Sequence, residues 1–234
     1  MILAAEPPDL LLTTQPDHAH FAAELLGLWR AEGLPRHPRR ADLLFAAREH
    51  DNGWREADAA PEVDPASGRP RDFLSYPFAA RREIWERGVR RYAQERPYAA
   101  ALIAEHALQV HRDRRPEEGW REFLEQVEAQ KNELLQAAGA GDAELASDYP
   151  FLQLADTASL AACAAWAAPF SVGGVRGHVA GAELRLDPFP LAGPTTFQVA
   201  CRRLPDRPYT GTLDLTGALA AARWQRRPIR VTPG

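Results

Sequence analysis

The sequence predicts a mainly α fold, a bundle of about six helices with a small antiparallel β appendage from the C-terminal region, which the N-terminal strands can join. Apolar residues recur at helical spacing through most of the chain between Pro16 and Ala167. After Pro169 this period gives way to short runs rich in Val, Thr and Phe, broken by Gly and Pro. A third observation is the two apolar runs at the start, residues 2–5 and 10–14, which flank Pro7-Pro8-Asp9 and read as a hairpin or two edge strands.

The first helix opens with Pro16 and Asp17, residues suited to a helix start, and Gly33-Leu34-Pro35 stops it. His18, Ala22, Leu25 and Trp29 share its inward face, whereas His20, Glu24, Gly27 and Ala31 share the outward one. A second helix over 39–51 carries Leu43, Leu44 and Ala47 beneath the adjacent pair His50-Asp51, with Gly53 as terminator. Residues 52–77 show no period and several prolines. Trp54, Val63, Phe73, Leu74 and Tyr76 supply apolar anchors there, so this stretch reads as an ordered loop over the end of the second helix and the best candidate for a lid.

Helical spacing resumes over 78–94, with Phe78, Trp85, Val89 and Tyr92 in the stripe. From Pro97 another helix aligns Tyr98, Leu102, His106 and Val110. A long polar helix over 116–138 is anchored by Trp120, Phe123, Leu124, Val127, Leu134 and Leu135. The last helix, over 149–167, aligns Leu152, Asp156, Ser159, Cys163 and Trp166. Strands are expected at 175–179, 183–186, 197–202, 210–215 and 229–232. This divides the chain into a helical metal-binding domain at 1–168, which includes the N-terminal hairpin, and a small β-rich region at 169–234 packed on it.

The net charge of −4 and pI near 6.0 supply no basic field for a nucleic acid polymer. Cys163 and Cys201 form no CxxC motif or disulfide framework, which suits a reducing cytoplasm. The start lacks the basic region of a signal peptide, and the alanine-rich stretch at 157–170 is too short to span a bilayer. A cytoplasmic protein without a membrane partner is expected, with a homodimer compatible with the sequence.

His18, His50, Asp51, His106 and Asp156 sit on four of the expected helices, at or beside the apolar stripes. Facing helices can bring imidazoles and carboxylates to one point, as a divalent metal requires. Each histidine taken alone can equally be a satisfied core residue, and Asp51 and Asp156 can cap helices or pair with arginine. An isolated buried carboxylate is nevertheless unfavourable by several kcal/mol unless it is paired or bound to metal.

The order His18, then His50-Asp51, then a distant Asp156 resembles the HD-domain superfamily of metal-dependent phosphohydrolases. More narrowly, Thr14-Gln15-Pro16-Asp17-His18, His50-Asp51-Asn52-Gly53-Trp54, Asp64-Pro65, and Arg69-Pro70 followed by Phe73 resemble the bacterial domain-of-unknown-function family 3891, over about residues 2–166. The narrower resemblance brings no known activity. The wider one implies an HD-type bundle with His18 as first metal ligand, His50 and Asp51 as the central pair, and Asp156 as closing ligand. It also implies His106 at a second ion in binuclear members, with Asp51 bridging.

His111, about 140° around the helix from His106 and followed by Arg112, is expected to be solvated. The cofactor implied is one or two divalent ions of Mn, Fe, Co, Ni, Zn or Mg. Asp51 and His106 stand as catalytic residues. Arg55, Arg69 or Arg71, with Trp54, are candidates to receive a small phosphorylated substrate. Metal-assisted hydrolysis of a phosphoester or nucleotide-like molecule leads; a di-iron oxygenase and a non-catalytic sensor or binding module are the alternatives.

Overall fold

A computed structural model describes residues 1–31 and 33–234. Eight helices are seen among them: α1 (Gln15–Gly27), α2 (Arg40–Glu49), the short α3 (Arg55–Ala59), α4 (Phe78–Arg91), α5 (Pro97–His111), α6 (Trp120–Ala137), α7 (Asp142–Cys163) and α8 (Thr212–Ala221). The strands are β1 (Ile2–Glu6), β2 (Asp9–Thr13), β3 (Phe170–Val172), β4 (Val175–Ala180), β5 (Glu183–Asp187), β6 (Thr195–Pro205) and β7 (Trp224–Pro233).

The expected bundle with a small β appendage is corrected by the sheet. All seven strands join in the order β1-β2-β6-β7-β5-β4-β3. They make a curled half-barrel that holds 20% of the chain beside 51% in helices. The sheet is mixed, because β5 runs parallel to β7 while the other pairs are antiparallel. The N-terminal hairpin is built into it through Leu10 of β2 opposite Leu204 of β6. Alternation along β4, with Val175, Gly177 and Val179 buried and Arg176, His178 and Ala180 exposed, shows a sheet face turned to the interior.

Helices and strands share one core. Phe21 of α1 meets Phe197 of β6 with ring centroids 5.1 Å apart. Leu184, Leu186, Val199, Ile229 and Val231 belong to the same buried cluster as Leu25, Leu102 and Leu152. α1 and α7 lean on the sheet, while α5 packs among α2, α4, α6 and α7.

Several local expectations differ from the structure, and the stretch at 52–77 expected as loop contains α3. The run at 210–215 is not a strand but leads into α8, where Leu215 and Leu219 are buried one turn apart. Six residues were too short a window to expose that four-residue spacing. α7 starts at Asp142, so Pro150, which suits a first turn, lies inside it. The three-residue β3 was too brief to stand out. Within 52–77, Trp54, Phe73 and Tyr76 form the expected aromatic anchor, with Trp54 5.3 Å from Tyr76 and 6.5 Å from Phe73 between ring centroids.

Candidate metal centre

Local sequence explains where each ligand side chain starts. At the head of α1, the Thr14 hydroxyl donates to Asp17 Oδ2 at 2.5 Å and accepts from the Asp17 backbone N–H at 3.1 Å. This reciprocal cap fixes the first turn and puts His18 on the buried face with Ala22 and Leu25, while Trp29, expected on the same face, is buried beyond the helix end.

α2 ends at Glu49, and His50-Asp51 forms the turn that follows. Asn52 Nδ2 ties this turn down, donating to Glu49 O at 2.8 Å and Gly88 O at 2.9 Å. Gly53 lets α4 approach, since a Cβ there would lie 2.0 Å from Ile84 O. From α4, Arg87 Nη2 donates to Gly53 O at 2.8 Å and Arg91 Nη1 to Asn52 O at 2.6 Å. The run His50-Asp51-Asn52-Gly53 is therefore a turn clamped against a neighbouring helix.

α1, this turn, α5 and α7 converge on one buried point. His18 Nε2 lies 2.8 Å from Asp51 Oδ2 and 3.9 Å from Asp156 Oδ1. His50 Nε2 lies 3.2 Å from Asp156 Oδ1 and 3.5 Å from Asp51 Oδ2. His106 Nε2 lies 3.8 Å from Asp156 Oδ2. Two trios, His18/His50/Asp51 and His50/His106/Asp156, each offer ligand atoms within 4.8 Å of one another, and such groups can hold a metal ion.

The outer nitrogens of all three rings are occupied. The Ser159 hydroxyl donates to Asp156 O at 2.9 Å, so its lone pair can accept from His18 Nδ1–H at 3.0 Å. His50 Nδ1–H donates to Ala47 O at 2.8 Å, and His106 Nδ1 faces the Tyr149 hydroxyl at 3.2 Å. Each Nε2 is thereby aimed at the centre, as in metal sites whose outer hydrogen bonds fix the imidazole.

Electrostatics follow from two buried carboxylates in one place. Burial works against charge on His50, but Asp51 and Asp156 outweigh it and raise its pKa to about 9. Burial likewise opposes ionisation of Asp51 and Asp156, yet the surrounding histidines hold both below the usual carboxylate range. Burial pushes His106 down to about 4. The protein balances its two carboxylates with a proton on His50, a role a divalent cation could take instead.

Residues 1–206 match the family described as protein of unknown function (DUF3891). The chain belongs to DUF3891. No curated protein and no solved structure matches it. No helix among the described residues is long and apolar enough to cross a membrane.

In this DUF3891 chain a cavity of about 250 Å³ opens beside the centre, lined by His18, Asp51, His106 and Asp156 together with Trp54, Phe73 and Leu74 from the 52–77 loop. The arginines expected to meet a phosphate lie elsewhere. Arg55 binds Glu49 Oε2 at 2.5 Å, Arg69 binds Asp206 at 2.8 Å and Arg71 binds Glu62 at 3.1 Å, and none of them lines the cavity. His20 is half-buried and outside both trios.

His111, expected in solvent, is buried, because α5 ends there and Trp120 covers its ring at 4.5 Å between centroids. Arg81 and Arg114 also reach the cavity, and neither was foreseen. Tyr149 was missed because the helix was expected to begin beside it; seven residues before Asp156 is two turns along the same face.

Proposed function

We infer that this chain is a metal-dependent hydrolase of a small phosphoester. The observation that carries the reading is the convergence of three outer-anchored imidazole Nε2 atoms and two carboxylates beside a cavity. The order His18, His50-Asp51, Asp156 resembles the order in HD-domain phosphohydrolases, which supports the same assignment. His18, His50 and Asp51 would hold one divalent ion, and His50, His106 and Asp156 a second or a shared one. Nitrogen and carboxylate ligands suit Mn, Fe, Co, Ni or Zn, and Mg less well. A divalent cation in such a site lowers the pKa of water and polarises a phosphoryl oxygen.

The chain's own part is positional. Asp51 and Asp156 stay ionised and neutralise the ion. His106, already neutral, can offer Nε2 without losing a proton, while His50 must release one. Phe73 and Leu74 supply apolar lining to the cavity.

Elemental analysis of protein purified without chelators, paired with a panel of phosphatase and nucleotidase substrates, tests this. One or two divalent ions per chain, with turnover lost to a chelator and restored by the metal, is the expected result. Iron with a charge-transfer band and no hydrolysis would replace the reading with an oxygenase. Metal without any turnover would leave a binding module.

A further inference from the structure

In the cavity beside the His/Asp cluster, four polar atoms are buried without any hydrogen-bond partner among the described residues: both ring nitrogens of His111, Trp85 Nε1 and Gln15 Oε1. Their residues are 6%, 5% and 3% exposed, and all three line the same cavity as His18, Asp51, His106 and Asp156. Buried polar groups are nearly always paired, because desolvation without a partner is unfavourable. Orphans gathered around one cavity therefore point to a ligand that satisfies them.

The wall is held in place by aromatic packing. Trp85 lies 5.6 Å from His111 and 5.8 Å from His106 between ring centroids, and Trp120 backs His111. His111 belongs to neither group of metal-competent residues, so its nitrogens address something else.

The wall's chemistry selects the ligand. Indole Nε1 can only donate, and a neutral imidazole donates from one nitrogen and accepts at the other. Burial, followed by the nearby Arg81, pushes His111 down to about 3, so the ring is neutral at pH 7. Arg81 and Arg114 bring positive charge to the same cavity, and among the described residues the carboxylates lining it are Asp51 and Asp156. Arg81 is partly committed, donating to Tyr76 O and Leu74 O, and Arg114 shares its charge with Glu117, whose Oε2 lies 3.2 Å from Arg114 Nη1. Part of the cavity lining thus suits cations and part suits oxyanions.

We propose that Trp85, His111 and Arg114 form an anion subsite for the phosphoryl oxygens turned away from the His/Asp cluster, with Gln15 accepting from a hydroxyl of the substrate's organic part. This deepens the phosphoester reading and rests on it. A cavity of about 250 Å³ is below the range of about 300–1,000 Å³ usual for ligand pockets. That favours a compact hydroxylated phosphomonoester over a whole nucleotide.

The test titrates inorganic phosphate into the Mn(II)-saturated full chain by calorimetry, comparing the parent with Trp85→Phe and His111→Phe. Both substitutions keep a ring and remove the N–H. The parent should bind phosphate, both variants should keep the parent's Mn(II) content, and phosphate affinity should fall at least tenfold in each. The metal-free His111→Phe protein should also melt at a higher temperature than the parent, since two unpartnered nitrogens are gone. Should His111→Phe not fold, His111→Gln, which retains one donor, is expected to bind phosphate between the parent and Trp85→Phe.

A parent that binds no phosphate, variants that bind it as the parent does, or loss of Mn(II) from His111→Phe each overturn the subsite. Phosphate binding without hydrolysis of any ester would remove the hydrolase reading and leave the subsite. Ester hydrolysis unchanged in both variants would do the reverse.

Discussion

At the scale of single residues, His50 carries the charge balance of the centre, and its proton can be counted. With a pKa near 9, it is protonated at pH 7.5 in the metal-free chain. Metal binding must displace that proton. Calorimetric titration with Mn(II) in buffers of different ionisation enthalpy should show about one proton released per chain as the site fills; no release would mean that His50 is already neutral.

Stability should respond to pH from both sides. Relative to an unfolded histidine near 6.5, the raised pKa of His50 adds stability that is complete below about pH 6.5 and is lost as pH rises through 9. His106 and His111 act oppositely. Their pKa values, pushed to about 4 and about 3 by burial, mean that the unfolded chain binds protons first, so stability drains as pH falls from about 6.5 toward those values. Thermal melts of the metal-free chain should therefore peak near neutrality, and added metal should flatten the alkaline side.

Substitutions should separate ligands from the groups behind them. Asp51→Ala is expected to abolish metal binding and turnover, because it removes the carboxylate closest to His18 and within reach of His50. Ser159→Ala removes the anchor of His18 Nδ1 and a hydrogen bond to Asp156 O but no ligand atom, and should weaken metal affinity by about 10- to 100-fold, with the fold intact by circular dichroism. Equal metal content in Asp51→Ala and the parent would defeat the hydrolase reading.

At the scale of elements, the turn after α2 is the part most exposed to a small change. A Cβ on Gly53 would collide with a backbone carbonyl of α4, and backbone cannot rotate aside as a side chain can. Gly53→Ala should destabilise the chain by about 3 kcal/mol, within the range for overpacking a tight contact, and should weaken metal binding because His50 and Asp51 move with the turn. Denaturant unfolding with and without Mn(II) measures both.

The elements also show what could be read from sequence. Helical spacing placed His18, His106 and Asp156 on inward faces, and the structure brings them together with His50 and Asp51. Periodicity records which face is buried but not what lies across from it. Ser159 was on the right face without a visible partner, His111 looked solvated because its neighbours in sequence are charged, and the ion pairs of Arg55 and Arg69 with Glu49 and Asp206 depend on tertiary contacts that no local pattern encodes.

At the scale of the whole molecule, the sheet supports the metal centre. Strand segments are legible locally, but pairing of β2 with β6 joins parts of the chain nearly two hundred residues apart in sequence, which is why the β layer looked like an appendage. His18 and Asp156 stand on α1 and α7, helices that lean on this sheet. Phe197 packs on Phe21 of α1, and Arg227 of β7 donates to Ala162 O at 3.1 Å and Cys163 O at 3.5 Å at the end of α7. Phe197→Ala should lower stability by about 3–5 kcal/mol, as expected for removing a buried ring.

A chain ending at residue 168 would uncover the apolar faces of both helices and leave β1 and β2 without β6. It should lack a cooperative melt, bind a hydrophobic dye and take up no Mn(II), while the full chain unfolds in one transition. A fragment 1–168 that melts cooperatively and binds Mn(II) as the full chain does would show instead that the helices hold the centre without the C-terminal strands.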